Sequence, residues 1–181
     1  MSLLISHSNQ WGFIHIPKTG GTTITHILNN NQECETITGH DSLRAVTDSN
    51  YFLFTFVRNP FTRIQSAFHH AVRKGLHTND FSSFLTNSNP NDLWLLPQSY
   101  YINAGKTDNK TISFIGKYEN FENDLKVVMS KLSIENYEIP HLNRNPLYNK
   151  HPNLNQEKYY KLLYTEEWMK DWVRERYKDD F

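Results

Sequence analysis

The residues from Pro17 to Thr23 have the types and the spacing of an anion-binding loop. Gly20 and Gly21 permit backbone conformations and a close approach that a Cβ atom would block. Lys18 supplies a mobile positive charge, and three hydroxyl donors follow it, Thr19, Thr22 and Thr23. These groups suit a phosphate or a phosphosulfate. The alternative is an ordinary tight turn with a solvated lysine.

This loop differs from the Walker A loop of kinases and ATPases. In a Walker A loop the lysine directly follows the last glycine, whereas Lys18 precedes both glycines of the stretch. A nucleotide kinase or ATPase also commonly holds magnesium with an acid after a second strand, where this chain has Arg58. The pattern therefore favours a site that binds a further anionic group, rather than a metal ion, at Arg58.

Arg58 is the second candidate binding residue. It directly follows an apolar run over residues 51–57 and precedes a helix expected from Pro60 to about Lys74. Open α/β sheets bind ligands at the carboxyl ends of their strands. Arg63 and Ser66 share one face of the predicted helix and could converge with Arg58 on a second phosphate. In the alternative, Arg58 pairs with a carboxylate and Ser66 only packs.

The elements needed to position these residues indicate an α/β fold. We predict strands over 13–16, 36–38, 51–57 and 111–115, and helices after Gly21 and over 60–74, 81–85, 121–132 and 155–179. The alternation predicts a single domain over residues 1–181 with a central, mainly parallel sheet, helices on both faces, and a P-loop-like phosphosulfate loop after the first strand. Trp94 is expected to pack in a core or to line an acceptor pocket.

Composition excludes several classes of protein. The 19 basic residues balance the 19 acidic ones, so no overall field attracts nucleic acid. The longest apolar run is far shorter than the ~20 residues of a membrane-spanning helix, so no stable membrane insertion and a cytoplasmic location are expected. Cys34 is the lone cysteine, and the histidines lack metal-site spacing, which predicts no disulfide within the chain and no structural zinc.

Two segments resemble the cofactor motifs of sulfotransferases that use 3′-phosphoadenosine 5′-phosphosulfate (PAPS). They are residues 16–23 and 57–68, and the closest resemblance is to the carbohydrate branch with the heparan sulfate and uronyl 2-O-sulfotransferases. The resemblance implies that Pro17, Lys18, Thr19, Gly20, Gly21, Thr22 and Thr23 bind the 5′-phosphosulfate, while Arg58 and Ser66 hold the 3′-phosphate. Gly39-His40 is similar to the Gly-His that contains the proposed catalytic histidine of this branch.

The activity implied by this resemblance is metal-independent transfer of a sulfuryl group from PAPS to an acceptor hydroxyl on a carbohydrate or a small metabolite. Lys18 would stabilise the leaving phosphate, and His40 would accept the acceptor's proton, with Asp41 and Glu119 as alternative bases. His15 is interpreted as a strand residue beside the loop. The alternative functions are a nucleotide or sugar kinase and a non-catalytic protein that binds adenosine bisphosphate. No oligomeric state is predicted.

Overall fold

The computed structural model describes residues 2–39, 45–46, 50–104, 111–140 and 156–181. Contacts divide the chain into two compact units. The first comprises Met1–Arg58 with Gln98–Pro140, and the second comprises Asn59–Pro97 with His141–Phe181. A single domain over 1–181 stays a prediction. No helix in the described ranges is both long and apolar enough to cross a membrane.

The described residues form five strands and seven α-helices. The strands are β1 (Ser2–Ser6), β2 (Trp11–His15), β3 (Glu35–Thr38), β4 (Phe52–Val57) and β5 (Phe114–Lys117). The helices are α1 (Gly21–Asn31), α2 (Pro60–Arg73), α3 (Phe81–Asn87), α4 (Gln98–Ala104), α5 (Phe121–Lys131), α6 (Gln156–Leu163) and α7 (Glu167–Arg176). Short 3-10 helices cover Leu93–Leu95, Tyr118–Asn120 and Lys178–Asp180. The α/β class predicted from the sequence is confirmed.

The sheet of the first unit is mixed, with strand order β3-β1-β2-β4-β5. β4 pairs in parallel with β2 and with β5, whereas β1 pairs antiparallel with β2 and with β3. The prediction of a mainly parallel sheet is therefore wrong. The sequence reasoning omitted β1, which reaches β2 through the short turn 7–10, and so short a connection joins only antiparallel strands. As a result, the loop follows β2 rather than the first strand.

The core of the first unit lies between one face of the sheet and helices α1 and α5. On that face, Phe13 of β2 and Phe54 of β4 stack with their ring centres 5.1 Å apart. Ile24 of α1 and Leu125 of α5 are fully buried in the same cluster. The opposite face is also buried at Leu3, Ile14 and Leu53, so β4 is buried on both faces, as predicted. Helices on both faces stay a prediction.

The second unit has a core rich in aromatic residues, contributed by α2, α3 and the C-terminal helices. Phe68 packs edge-on against Phe81 with ring centres 5.2 Å apart, and Trp94 packs against the same cluster. The predicted helix over 155–179 is two helices, because the backbone is extended at Glu166, with φ −123° and ψ 147°, before α7 begins. Packing is thus the observed role of Trp94.

Candidate functional site

The loop after β2 is closed by its own threonine. Thr19 is 0% exposed, and its Oγ1 donates a 2.8 Å hydrogen bond to the carbonyl of Ile16. The backbone is left-handed at Lys18, with φ 71°, and again at Gly20, with φ 92°. Since the Thr19 proton is used inside the loop, Thr19 shapes the site rather than donating to a ligand.

The first turn of α1 favours an anion. Gly20 is the N-cap, and no side chain caps the helix within the described residues. Thr23 donates from its backbone N–H to the Gly20 carbonyl at 3.0 Å and from Oγ1 to the Pro140 carbonyl at 3.4 Å. The first turn contains no acidic residue. The helix dipole and the N–H groups of this turn therefore present a positive end next to Lys18.

Both glycines of the loop allow close packing within the protein. A Cβ atom on Gly20 would lie 2.7 Å from Cε2 of Phe121, and one on Gly21 would lie 2.2 Å from Cδ2 and Nε2 of His15. Sequence reasoning gave the glycines only a role in the approach of a phosphate. The structure adds that they let α1 begin directly against the Phe121 and His15 rings.

Arg58 reaches this loop from the end of β4. Its Nη1 donates to the Lys18 carbonyl at 3.3 Å, and its guanidinium carbon lies 4.0 Å from the centre of the Tyr118 ring. Its backbone is held by Gln98, which accepts from the Arg58 N–H at 2.7 Å and donates to the Arg58 carbonyl at 2.8 Å. The structure thus brings the Arg58 side chain into contact with the Lys18 loop. Gln98 and Tyr118 were not predicted to contribute.

His15 lies beside the loop as a half-buried, neutral group. Its ring stacks on Phe13 at a centre separation of 5.8 Å. Burial first, and then the positive charge of Lys18, lower the pKa of His15 below its ordinary value of 6.5. The ring also lines a pocket of about 250 Å³, whose other lining residues are Ser2, Leu4, Thr22, Thr25 and Thr36.

The sequence contained a signal for this position of His15. Side chains alternate along a strand, so His15 falls on the same face as Trp11 and Phe13, the face on which α1 packs. Its distance of two residues from Pro17 places it at the mouth of the loop. Reading it only as a strand residue missed the pocket.

The C-terminal end of β3 lies at the same end of the strands as the loop. Ser2 pairs with His15 on one side and with Thr38 on the other, so these three residues form one row across the sheet. Gly39 follows with φ 122°. His40 and Asp41, the next residues along the chain, lie outside the described residues. Glu119, the other candidate base, is exposed on the 3-10 helix Tyr118–Asn120.

Ser66 and Arg63 belong to α2 of the second unit, and Ser66 is partly exposed there. Arg63 is 0% exposed, and its Nη2 donates to the carbonyls of Leu96 at 2.7 Å and Trp94 at 3.3 Å. These bonds give Arg63 a structural role inside the second unit. The convergence of Ser66 with Arg58 on one phosphate stays a prediction.

Comparison with known proteins gives one match, which spans the whole chain. A family model described as "Sulfotransferase family" matches residues 1–181. No curated protein and no solved structure matches the chain.

Proposed function

Because the chain belongs to the sulfotransferase family, we propose that it transfers a sulfuryl group from PAPS to an acceptor hydroxyl on a carbohydrate or a small metabolite. Family membership supports sulfuryl transfer in general. PAPS as the donor and a hydroxyl as the acceptor are our proposal.

The observation that best supports this proposal is the contact between Arg58 and the loop. The Arg58 Nη1 lies 3.3 Å from the Lys18 carbonyl, at the N-terminal end of α1. The Arg58 guanidinium, the backbone of the Lys18 loop and a helix N-terminus thus meet within one unit. This arrangement fits a nucleotide with two separate phosphate groups better than one with a single phosphate. Lys18 and Arg58 supply the positive charge that magnesium provides in kinases, so we propose transfer without a metal.

The loop residues fit a role in stabilising the leaving group. PAPS supplies the sulfuryl group, whose bond to the 5′-phosphate breaks as the acceptor oxygen bonds to sulfur. Lys18 and the N–H groups of the first turn of α1 would neutralise the negative charge that grows on that phosphate. Thr19 holds these groups in place through its 2.8 Å bond to Ile16 before any ligand binds. Catalysis then depends mainly on positioning and charge.

We propose His40 as the base that accepts the acceptor's proton, with Asp41 and Glu119 as the alternatives. Support comes from the row Thr38-Ser2-His15, which places the C-terminal end of β3 at the same end of the strands as the loop. A neutral imidazole is a suitable acceptor near pH 7. His40→Ala should lower turnover by about 100- to 10,000-fold and leave nucleotide affinity unchanged. Unchanged turnover would exclude His40, and Glu119→Gln would then be measured in the same assay.

Calorimetric titration tests the donor. Adenosine 3′,5′-bisphosphate, adenosine 5′-phosphate and ATP would each be titrated with and without magnesium. Tighter binding of the bisphosphate, independent of magnesium, is the expected result. ATP binding that requires magnesium would overturn the proposal in favour of a kinase. Bisphosphate binding with no transfer from PAPS to any of a panel of sugars and small alcohols would instead indicate a non-catalytic binding protein.

A further inference from the structure

We propose that Gln98 is a positioning residue for Arg58 and that it thereby sets the preference for a 3′-phosphorylated nucleotide. This inference rests on the proposed function, because it assumes that Arg58 binds the 3′-phosphate. It adds a residue from α4, an element for which no role in the site was predicted.

Gln98 continues the hydrogen bonding of the sheet at the backbone of Arg58. In the pairing of β4 with β5, the last residue pair is Val57 with Lys117, so Arg58 lies one residue beyond the ladder. Gln98 bonds both backbone groups of Arg58, at 2.7 Å to the N–H and 2.8 Å to the carbonyl. The side-chain amide thus acts as a one-residue extension of the sheet and fixes the direction in which the Arg58 side chain leaves the strand.

Few side chains can bond both backbone groups of Arg58 at once. Only an amide offers both an acceptor and a donor at the required length, since glutamate lacks the donor and asparagine is one methylene shorter. Gln98 is 2% exposed, so water does not compete well for either bond. These two hydrogen bonds therefore hold the Arg58 backbone more firmly than exposed hydrogen bonds of the same length would.

The guanidinium end of Arg58 is also held within the protein. The guanidinium lies over the Tyr118 ring at 4.0 Å, and Nη1 donates to Lys18. With its backbone held by Gln98 and its guanidinium held by Tyr118 and the loop, the long side chain loses most of its rotamer freedom before a ligand binds. Such preorganisation increases affinity and selectivity for the phosphate that the guanidinium contacts.

The test uses Gln98→Met, which keeps the length of the side chain but removes both hydrogen bonds. Dissociation constants for adenosine 3′,5′-bisphosphate and adenosine 5′-phosphate are measured by calorimetry, together with the melting temperature. We expect the preference for the bisphosphate to fall about tenfold, the value for one well-made buried hydrogen bond, while affinity for the monophosphate stays unchanged. If Gln98→Met does not fold, Gln98→Asn replaces it, because it keeps the amide but cannot span both groups.

Gln32 provides a matched control in the same unit. Its amide also makes two side-chain bonds, accepting from Trp11 Nε1 and donating to the Leu132 carbonyl at 2.8 Å. Gln32→Met should lower the melting temperature but keep the nucleotide preference. A folded Gln98 variant with the wild-type preference, or an equal loss of preference in Gln32→Met, would overturn the positioning role. A wild-type protein without any preference for the bisphosphate would instead count against the proposed function.

Discussion

Arg58 and Arg63 lie in one short stretch of sequence but belong to different units and have different surroundings. Arg58 is partly buried at the end of β4, with its guanidinium against Tyr118 and the Lys18 carbonyl. Arg63 is 0% exposed and donates to two backbone carbonyls. The same planar cation thus contacts an aromatic ring and the Lys18 loop in one unit and holds two backbone carbonyls in the other. Burial and backbone partners, rather than residue type, distinguish the two roles.

The segment held by Arg63 shows why a buried cation is useful there. Residues 94–96 present three successive carbonyls, and a side chain bonds each of them. Arg63 bonds Trp94 and Leu96, while the Tyr177 hydroxyl donates to Leu95 at 2.8 Å. Burial raises the pKa of Tyr177, so this hydroxyl stays a donor. Removing Arg63 would leave the partly buried carbonyls of Trp94 and Leu96 without these donors.

The largest expected effect is on folding, for Arg63→Met. Loss of two hydrogen bonds from a buried cation, each worth about 1.5–3 kcal/mol, should lower the free energy of unfolding by about 3–5 kcal/mol. Urea denaturation followed by tryptophan fluorescence measures this change. A loss below about 1 kcal/mol, typical of an exposed charge, would remove the contrast between the two arginines.

The next effect is on catalysis, for Lys18→Ala in the loop that Arg58 contacts. Turnover with PAPS should fall about 100- to 1,000-fold, because Lys18 would neutralise charge that is greatest in the transition state. The dissociation constant for adenosine 3′,5′-bisphosphate should change far less. Equal losses in turnover and in binding would show that Lys18 binds the ground state and transition state alike.

A smaller effect is expected for Arg58→Met, the counterpart of the Arg63 variant. Affinity for adenosine 3′,5′-bisphosphate should fall by about 1.5–3 kcal/mol, the range for hydrogen bonds to charged groups. Affinity for adenosine 5′-phosphate and the free energy of unfolding should stay close to wild type. Calorimetry gives the two affinities and urea denaturation the free energy of unfolding for each arginine variant. A large loss of stability in Arg58→Met would contradict a binding role.

The smallest effect concerns His15, which differs from both arginines because it is neutral at its site. The pKa of His15 is lowered below 6.5 in the folded protein, so below pH 6.5 the unfolded chain binds the proton first. The free energy of unfolding of the wild-type protein should therefore fall as the pH drops below 6.5, and that of His15→Gln should fall less. The change in the free energy of unfolding between pH 7.5 and pH 5.5 is measured for both proteins. The difference between the two changes isolates His15, since the other histidines contribute equally to both. Identical pH profiles of stability for the wild-type protein and His15→Gln would show that the His15 ring is exposed to solvent in the folded as well as the unfolded chain.

Local signals allowed much of the fold to be predicted from the sequence. The start of α2 was predicted because Asn59 and Pro60 form a strong N-terminal signal, and Asn59 Oδ1 indeed accepts from the Phe61 N–H at 3.0 Å. The strand β1 was missed altogether, because its five residues are too short a run for periodicity to identify it as a strand. Once β1 is present, the short turn 7–10 requires antiparallel pairing with β2.

The candidate site likewise combines residues found from local sequence motifs with one that is found only from the fold. The Lys18 loop and Arg58 were found because each lies in a compact motif beside the end of a strand. Gln98 is 40 residues from Arg58 along the chain, and it reaches Arg58 only after α4 has packed at the end of β4. No local pattern distinguishes a glutamine of this kind from a surface glutamine. The sequence therefore identifies the candidate binding groups, and the fold identifies the groups that hold them.

The left-handed backbone at Lys18, with φ 71°, has a consequence for protein engineering. A lysine in this conformation is about 1 kcal/mol less favourable than a glycine, so Lys18→Gly should raise the melting temperature while removing the charge. A library of variants selected only for survival after heating would enrich glycine at position 18. Those variants would lack the Lys18 charge on which the proposed turnover depends. Evolution of a heat-resistant variant should therefore select for product formation in every round.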